Sequence, residues 1–255
     1  MVNAYQSILE INILPPDINE GEAGFSVSGG AVRYGLTAIK GVGRPVIDGI
    51  IAERKARGPF RDLHDFLSRM VMQEREINRR VIESFIKAGA LDCLHPNRAA
   101  HLTIYESLME SAQANAKKNI AGQMSLFQTS MEEMNTGDTT GRLPDIKNFE
   151  QDLLLAMEKE MLGVYITGHP LNDYADRIRE LTSVTSEDLA QAAEPEHNAD
   201  HHIQDGMTVI MAGMITGQKK LVTKNNKMMS FVDLEDLYGT VEVVVFPNVY
   251  DKFSH

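Results

Sequence analysis

The chain has 255 residues, of which 43% are hydrophobic, 24% charged and only 6% aromatic, with no Trp. That balance excludes a chain disordered throughout and an aromatic-rich ligand pocket, while the lone Cys93 excludes an internal disulfide framework and a Cys-cluster zinc site and fits a reducing, cytoplasmic setting. Net charge is −11, yet residues 31–98 hold 13 of the 25 Lys and Arg and only 8 of the 36 Asp and Glu, so a basic segment is set in an acidic chain.

Residues 1–30 read as a lead-in. Met1 to Gln6 has no basic or apolar signal character, and no apolar run approaches a membrane span, so no membrane partner is expected. Residues 7–20 are expected to be irregular, because Leu14-Pro15-Pro16-Asp17 forces extended backbone. Phe25-Ser26-Val27 and Val32-Arg33-Tyr34 pattern as a hairpin around Gly29-Gly30. Helical periodicity then runs from Leu36 to about Met109. It groups Val46, Ile47, Ile50 and Ile51; Leu63, Phe66, Leu67 and Met70; and Ile77, Val81, Ile82, Phe85 and Ile86. Gly58-Pro59 and Gly89 limit these helices, and a further helix is predicted over 97–116.

Ile39-Lys40-Gly41-Val42-Gly43 recurs 47 residues later as Ile86-Lys87-Ala88-Gly89-Ala90. Small residues at such a bend permit backbone that a Cβ would strain. They also let backbone N–H groups at a following helix start approach a phosphate. The pair resembles the helix-hairpin-helix family, whose paired motifs hold the duplex DNA backbone without reading sequence. The first copy matches well. The second is degenerate, with Ala88 and Ala90 where the register asks for glycine. Lys40, Arg44 and Lys87 are the candidate phosphate partners, with Gly41, Val42, Gly43, Ala88, Gly89 and Ala90 forming the bends. Lys55, Arg57, Arg79 and Arg80 are either supports or solvated helix charges.

Residues 117–147 lose periodicity, and Asn135 to Gly141 is a linker by composition. Within this stretch, Gln123-Met124-Ser125-Leu126-Phe127 resembles the pentapeptide with which bacterial polymerases and repair proteins dock on the sliding clamp. Its polar head would set register while Leu126 and Phe127 fill an apolar pocket, each worth roughly 1.5–3 kcal/mol before ordering costs. Tethering would lift such a weak motif to an effective concentration in about the mM range.

Residues 148–205 form a helical connector, with helices near 148–162, 171–181 and 186–193. Thr185 is the expected N-cap of the last, with Asp188 at the capping-box position. The loop His197 to His202, flanked by Glu194, Glu196 and Asp205, reads as acidic and solvated, so no metal site is assigned. His169, before Pro170, reads as a turn residue. From 206 to 255 the period changes, and strands are predicted over 208–215, 229–234 and 240–246, as in an antiparallel meander. Lys219, Lys220, Lys224 and Lys227 fall on the expected first connection, a candidate single-strand contact or a solvated hairpin tip. The chain ends where another element should begin, as though a β-domain were cut.

The order of these elements is similar to that of the bacterial DNA polymerase III alpha-subunit family. The segments that carry the resemblance are Ile13 to Asn19, Tyr34 to Gly43, Asn78 to Glu83, Lys87 to Asp92, Leu162 to Leu171, Leu234 to Asp236 and Val243 to Pro247. It implies a mainly α tandem helix-hairpin-helix region over 31–116, then the clamp peptide and linker, the helical connector, and a partial antiparallel oligonucleotide-binding (OB) barrel over 206–255. It also implies the partners: duplex DNA, the sliding clamp (beta subunit), single-stranded template and other holoenzyme subunits. The family's polymerase carboxylates belong to a part N-terminal to everything here, and no Asp-x-Asp pair, P-loop, nucleophile elbow or His-Glu-x-x-His occurs. This segment is therefore expected to be non-catalytic and to need no cofactor, magnesium belonging to the parent polymerase. A clamp-binding repair factor with helix-hairpin-helix and OB modules is the alternative within DNA metabolism, and an adaptor without DNA contact the alternative outside it.

Overall fold

A computed structural model describes residues 12–71, 77–120, 143–193 and 203–253. The chain divides into two compact units, Ile11–Thr167 and one built on Gly168–His255. Among the described residues there are eight α-helices, two short 3-10 turns and two three-stranded sheets.

The first unit opens with β1 (Ile13–Leu14), β2 (Ser26–Ser28) and β3 (Ala31–Arg33). The hairpin turn falls on Gly29 and Gly30, with φ of +58° and +83°. Two consecutive positive φ values are what a tight two-residue hairpin turn demands, which explains the glycine pair. The expectation of an irregular lead-in needs correction at one point: Ile13 and Leu14 pair in parallel with Val32 and Arg33. The following Pro15-Pro16 does not prevent this, because β1 is a two-residue edge strand.

A 3-10 turn (Leu36–Ala38) leads into α1 (Arg44–Arg57), followed by α2 (Leu63–Val71), α3 (Arg79–Lys87), α4 (Arg98–Ile120) and α5 (Gln151–Leu162). The three apolar groups predicted from periodicity form its core. Ile47, Ile50, Phe66, Leu67, Met70, Ile82, Phe85 and Ile86 are fully buried. Phe66 meets Phe60 and Phe85 edge-on, with centroids 5.0 and 6.3 Å apart. Asn78 caps α3 by accepting the Val81 N–H at 3.0 Å, and Asn97 caps α4 by accepting the Ala100 N–H at 3.0 Å. Arg69 fastens the corner between α1 and α2. Its guanidinium donates to the carbonyls of Glu53 at 3.1 Å and Gly58 at 2.9 Å and to the Glu53 carboxylate at 2.8 Å, and it lies 4.4 Å from the Phe60 ring centroid. α5 joins the same core through Leu162, whose carbonyl accepts the buried Tyr34 hydroxyl at 2.9 Å.

The second unit carries a 3-10 turn (Asn172–Tyr174), α6 (Ala175–Leu181) and α7 (Ser186–Ala193), then β4 (Met214–Val222), β5 (Met228–Glu235), β6 (Thr240–Val245) and α8 (Pro247–Phe253). The helix predicted over 171–181 is thus divided, its first turn being 3-10. The capping box at Thr185 is formed: the Asp188 N–H donates to the Thr185 hydroxyl at 3.2 Å, and the Asp188 carboxylate accepts from the Thr185 N–H at 2.8 Å and from its hydroxyl at 2.7 Å. His169 serves its turn, Nδ1 accepting the Leu171 N–H at 3.1 Å. Buried Asp236 ties α7 to the β5–β6 turn by accepting from the Ser186 N–H and hydroxyl and from the N–H groups of Tyr238 and Gly239, all within 2.6–2.9 Å.

The sheet is an antiparallel meander in the order β4-β5-β6. Its first strand lies six residues later than predicted: 208–213 is not in a strand, and β4 begins at Met214. The apolar run from Thr208 misled because β4 is an exposed edge strand with a polar middle, Thr216 to Lys220. Burial periodicity is weak where neither face is covered.

Candidate nucleic-acid interface

The two bends of the repeat differ in exposure. At the first, Ile39 is buried and Val42 packs against the core, while Lys40, Gly41, Gly43, Arg44 and Pro45 are exposed. Gly41 has φ +81°, so glycine is favoured there. Gly43 is the N-cap of α1 without a capping side chain, and the first turn of α1 holds no acidic residue. The N–H groups of Gly41, Gly43 and Arg44 have no acceptor among the described residues. Pro45, in the first turn, has no N–H to satisfy. The result is an exposed helix start whose N–H groups lack an acceptor among the described residues, at the positive end of the helix dipole.

At the second bend, Ala88, Gly89 and Ala90 are buried. The positive φ falls on Gly89 (+77°), whereas Ala88 is in the right-handed helical region. The structural counterpart of Gly41 is therefore Gly89, one position beyond the register that pairs it with Ala88. A Cβ on Gly89 would collide with the guanidinium of Arg98. Buried Arg98 donates to the Lys87 carbonyl at 3.2 Å and to the Asp92 carboxylate at 2.7 Å, and lies 3.8 Å from Glu158. Glu158, wholly buried, accepts from the N–H groups of Ile166 and Thr167 and from the Thr167 hydroxyl at 2.9–3.0 Å. The first bend offers N–H groups to an anion, and the second has a carbonyl filled by an internal cation.

The basic surplus of residues 31–98 is largely engaged within the unit. Arg33 pairs with Asp17 and Glu20, Arg54 with Glu22, Arg57 and Arg69 with Glu53, and Arg61 with Asp65. Arg44 pairs with Asp48 at 2.8 Å, Arg79 with Glu106 and Glu110 at 3.2 and 2.7 Å, and Lys87 with Glu160 at 3.3 Å. Lys40, Lys55 and Arg80 have no ion-pair partner among the described residues. Arg80 is exposed on α3, and its Nε would stand 3.9 Å from a Cβ on Gly41. The structure thus brings Lys40, Gly41, Gly43, Arg44 and Arg80 to one exposed place and commits Arg79 and Lys87 elsewhere.

Gln123 to Phe127 and His197 to His202 lie outside the described residues. The four lysines of the meander are all exposed, but Lys219 and Lys220 sit on β4 itself, and only Lys224 and Lys227 belong to the connection. As strand neighbours, Lys219 and Lys220 face opposite sides of the sheet. The partners of the bends, Asp92, Arg98, Glu158 and Glu160, were not singled out by sequence reasoning. One signal was available: Arg98 opens a helix, where the dipole disfavours a cation, so a carboxylate partner was called for.

Residues 10–101 match the helix-hairpin-helix motif family, and with the bend geometry above this places the helical unit in the helix-hairpin-helix class. Over 96% of its length the chain is 34% identical to the DNA polymerase III subunit alpha of Escherichia coli, 33% to that of Mycobacterium tuberculosis and 34% to that of Thermus aquaticus. The chain is homologous to one segment of the bacterial DNA polymerase III alpha subunit, and spans about one fifth of the length of these relatives.

Proposed function

We propose that this chain is a duplex-gripping and clamp-tethering segment of a replicative DNA polymerase, in which the first bend holds a backbone phosphate. The observation that carries this reading is the exposed start of α1, with unsatisfied N–H groups at Gly41, Gly43 and Arg44 and with Lys40 and Arg80 beside them. A phosphate there would accept from the N–H groups, favoured by the helix dipole and by two cations not engaged in ion pairs. Such contacts position a duplex without reading its bases. The second bend is assigned a structural role, and with it Ala88, Gly89 and Ala90.

Clamp tethering rests on the sequence Gln123 to Phe127 and on the similarity to DNA polymerase III alpha. A grip on DNA and a grip on the clamp, joined in one chain, multiply through effective concentration and give processivity. The meander is proposed as the start of an OB barrel near single-stranded template, with Lys224 and Lys227 as its nearest cations. DNA synthesis, with its magnesium, is assigned to parts of the alpha subunit that this segment does not span. The test is duplex binding across a salt series. Lys40→Ala/Arg80→Ala should flatten the log–log slope by about 1.8, at about 0.9 per phosphate contact, and Lys87→Ala should leave it unchanged. An unaltered slope in the double variant rejects the assignment.

A further inference from the structure

The lysines of the two bends converge on the last turn of α5, outside the residues that match the helix-hairpin-helix motif. The Lys40 backbone N–H donates to the Met161 carbonyl at 2.9 Å. The Lys87 ammonium lies 3.3 Å from both carboxylate oxygens of the neighbouring Glu160. We infer that Glu160 restrains duplex binding by occupying Lys87, so that only the first of the two repeat lysines is available to phosphate. This rests on the reading that the bend face meets a DNA backbone, and deepens it by naming a built-in competitor for the anion.

An ammonium neutralised by a protein carboxylate has few counterions to release when DNA arrives, so it adds little to affinity or salt slope. The pair sits at the water boundary, with side chains 29% and 55% exposed. It differs in this from the Arg98 network, where the arginine is 5% and Glu158 0% exposed. A buried network holds the fold, whereas an ion pair at the surface contributes little stability and exchanges partners readily. Removing the Glu160 charge should therefore release Lys87 without unfolding the unit.

The experiment measures binding of a short duplex of mixed sequence to the full 255-residue chain over a salt series. The variants are Glu160→Gln, Lys87→Ala, the two combined, and Asp152→Asn. Asp152 is exposed on the same helix, about 12 Å away at 1.5 Å per residue, and controls for the change in net charge. Glu160→Gln should tighten binding about fivefold, the factor equivalent to a surface pair of about 1 kcal/mol, and steepen the slope by about 0.9. Lys87→Ala alone should change neither, and in combination it should return Glu160→Gln to the wild-type values. The inference is overturned if Glu160→Gln has no effect, if its gain persists without Lys87, or if Asp152→Asn matches it. A slope lost in Lys40→Ala/Arg80→Ala with no response to Glu160→Gln refutes the restraint and leaves the grip standing. Absence of duplex binding in every variant refutes both.

Discussion

Replacing Arg98 with Met should unfasten the second bend while keeping its volume. Arg98 is buried and links the Lys87 carbonyl, Asp92 and Glu158, so its loss leaves two carboxylates without their cation and one carbonyl without its donor. Removing one partner of a buried ion pair costs about 3–5 kcal/mol, because the remaining charge stays desolvated. At about 2–4 °C per kcal/mol for a domain of this size, the helical unit should melt roughly 10 °C lower at neutral pH. The loss has a characteristic pH dependence. Burial already pushes the Asp92 carboxyl above its ordinary value, against the pull of Arg98. A carboxyl with a raised folded pKa imposes no penalty below its unfolded pKa, and the penalty grows until the pH passes the folded value. Without Arg98 that pKa rises further, so the variant should approach wild-type stability as the pH falls and diverge from it toward neutrality. Urea unfolding followed by far-ultraviolet circular dichroism at several pH values measures this. A difference below about 1 kcal/mol at pH 7, or one that does not shrink in acid, refutes the account of the network.

Glu53 should behave in the opposite sense. Burial alone would raise its carboxyl pKa, but hydrogen bonds and charge from Arg57 and Arg69 outweigh burial and hold it below the ordinary range. Its contribution is therefore complete above the ordinary glutamate pKa and lost only as the pH falls through the depressed folded value. Glu53→Gln should cost about 3 kcal/mol at pH 7, and a loss that vanishes already at the ordinary glutamate pKa contradicts this. In the second unit, Asp188→Ala removes half of the capping box and should cost about 1 kcal/mol, read as a lower transition for Gly168–His255 with that of the helical unit unchanged.

The helical core was legible in the sequence because its signal is local and repetitive. Ile47 and Ile50, Phe66 and Met70, and Ile82 and Phe85 recur at helical spacing, and each is buried. The hairpin at Gly29-Gly30 and the capping box at Thr185 were legible because each needs particular residue types at fixed offsets. The difference between the bends was not legible, because it depends on residues distant in the chain. Glu158 and Glu160 reach residues 98 and 87 across 60 and 73 positions. The basic balance of residues 31–98 was misleading in part for the same reason: carboxylates on other elements engage Arg54, Arg69, Arg79 and Lys87. β4 was displaced in the reading because an exposed edge strand buries neither face and so leaves no alternation.

The most direct test of the account is the salt dependence of binding to duplexes of unrelated sequence, with Lys40→Ala/Arg80→Ala beside the wild type. The account predicts equal affinity for all sequences, a steep fall with salt, and a slope reduced by about 1.8 in the variant. Sequence-dependent affinity, or a variant indistinguishable from the wild type, would contradict it.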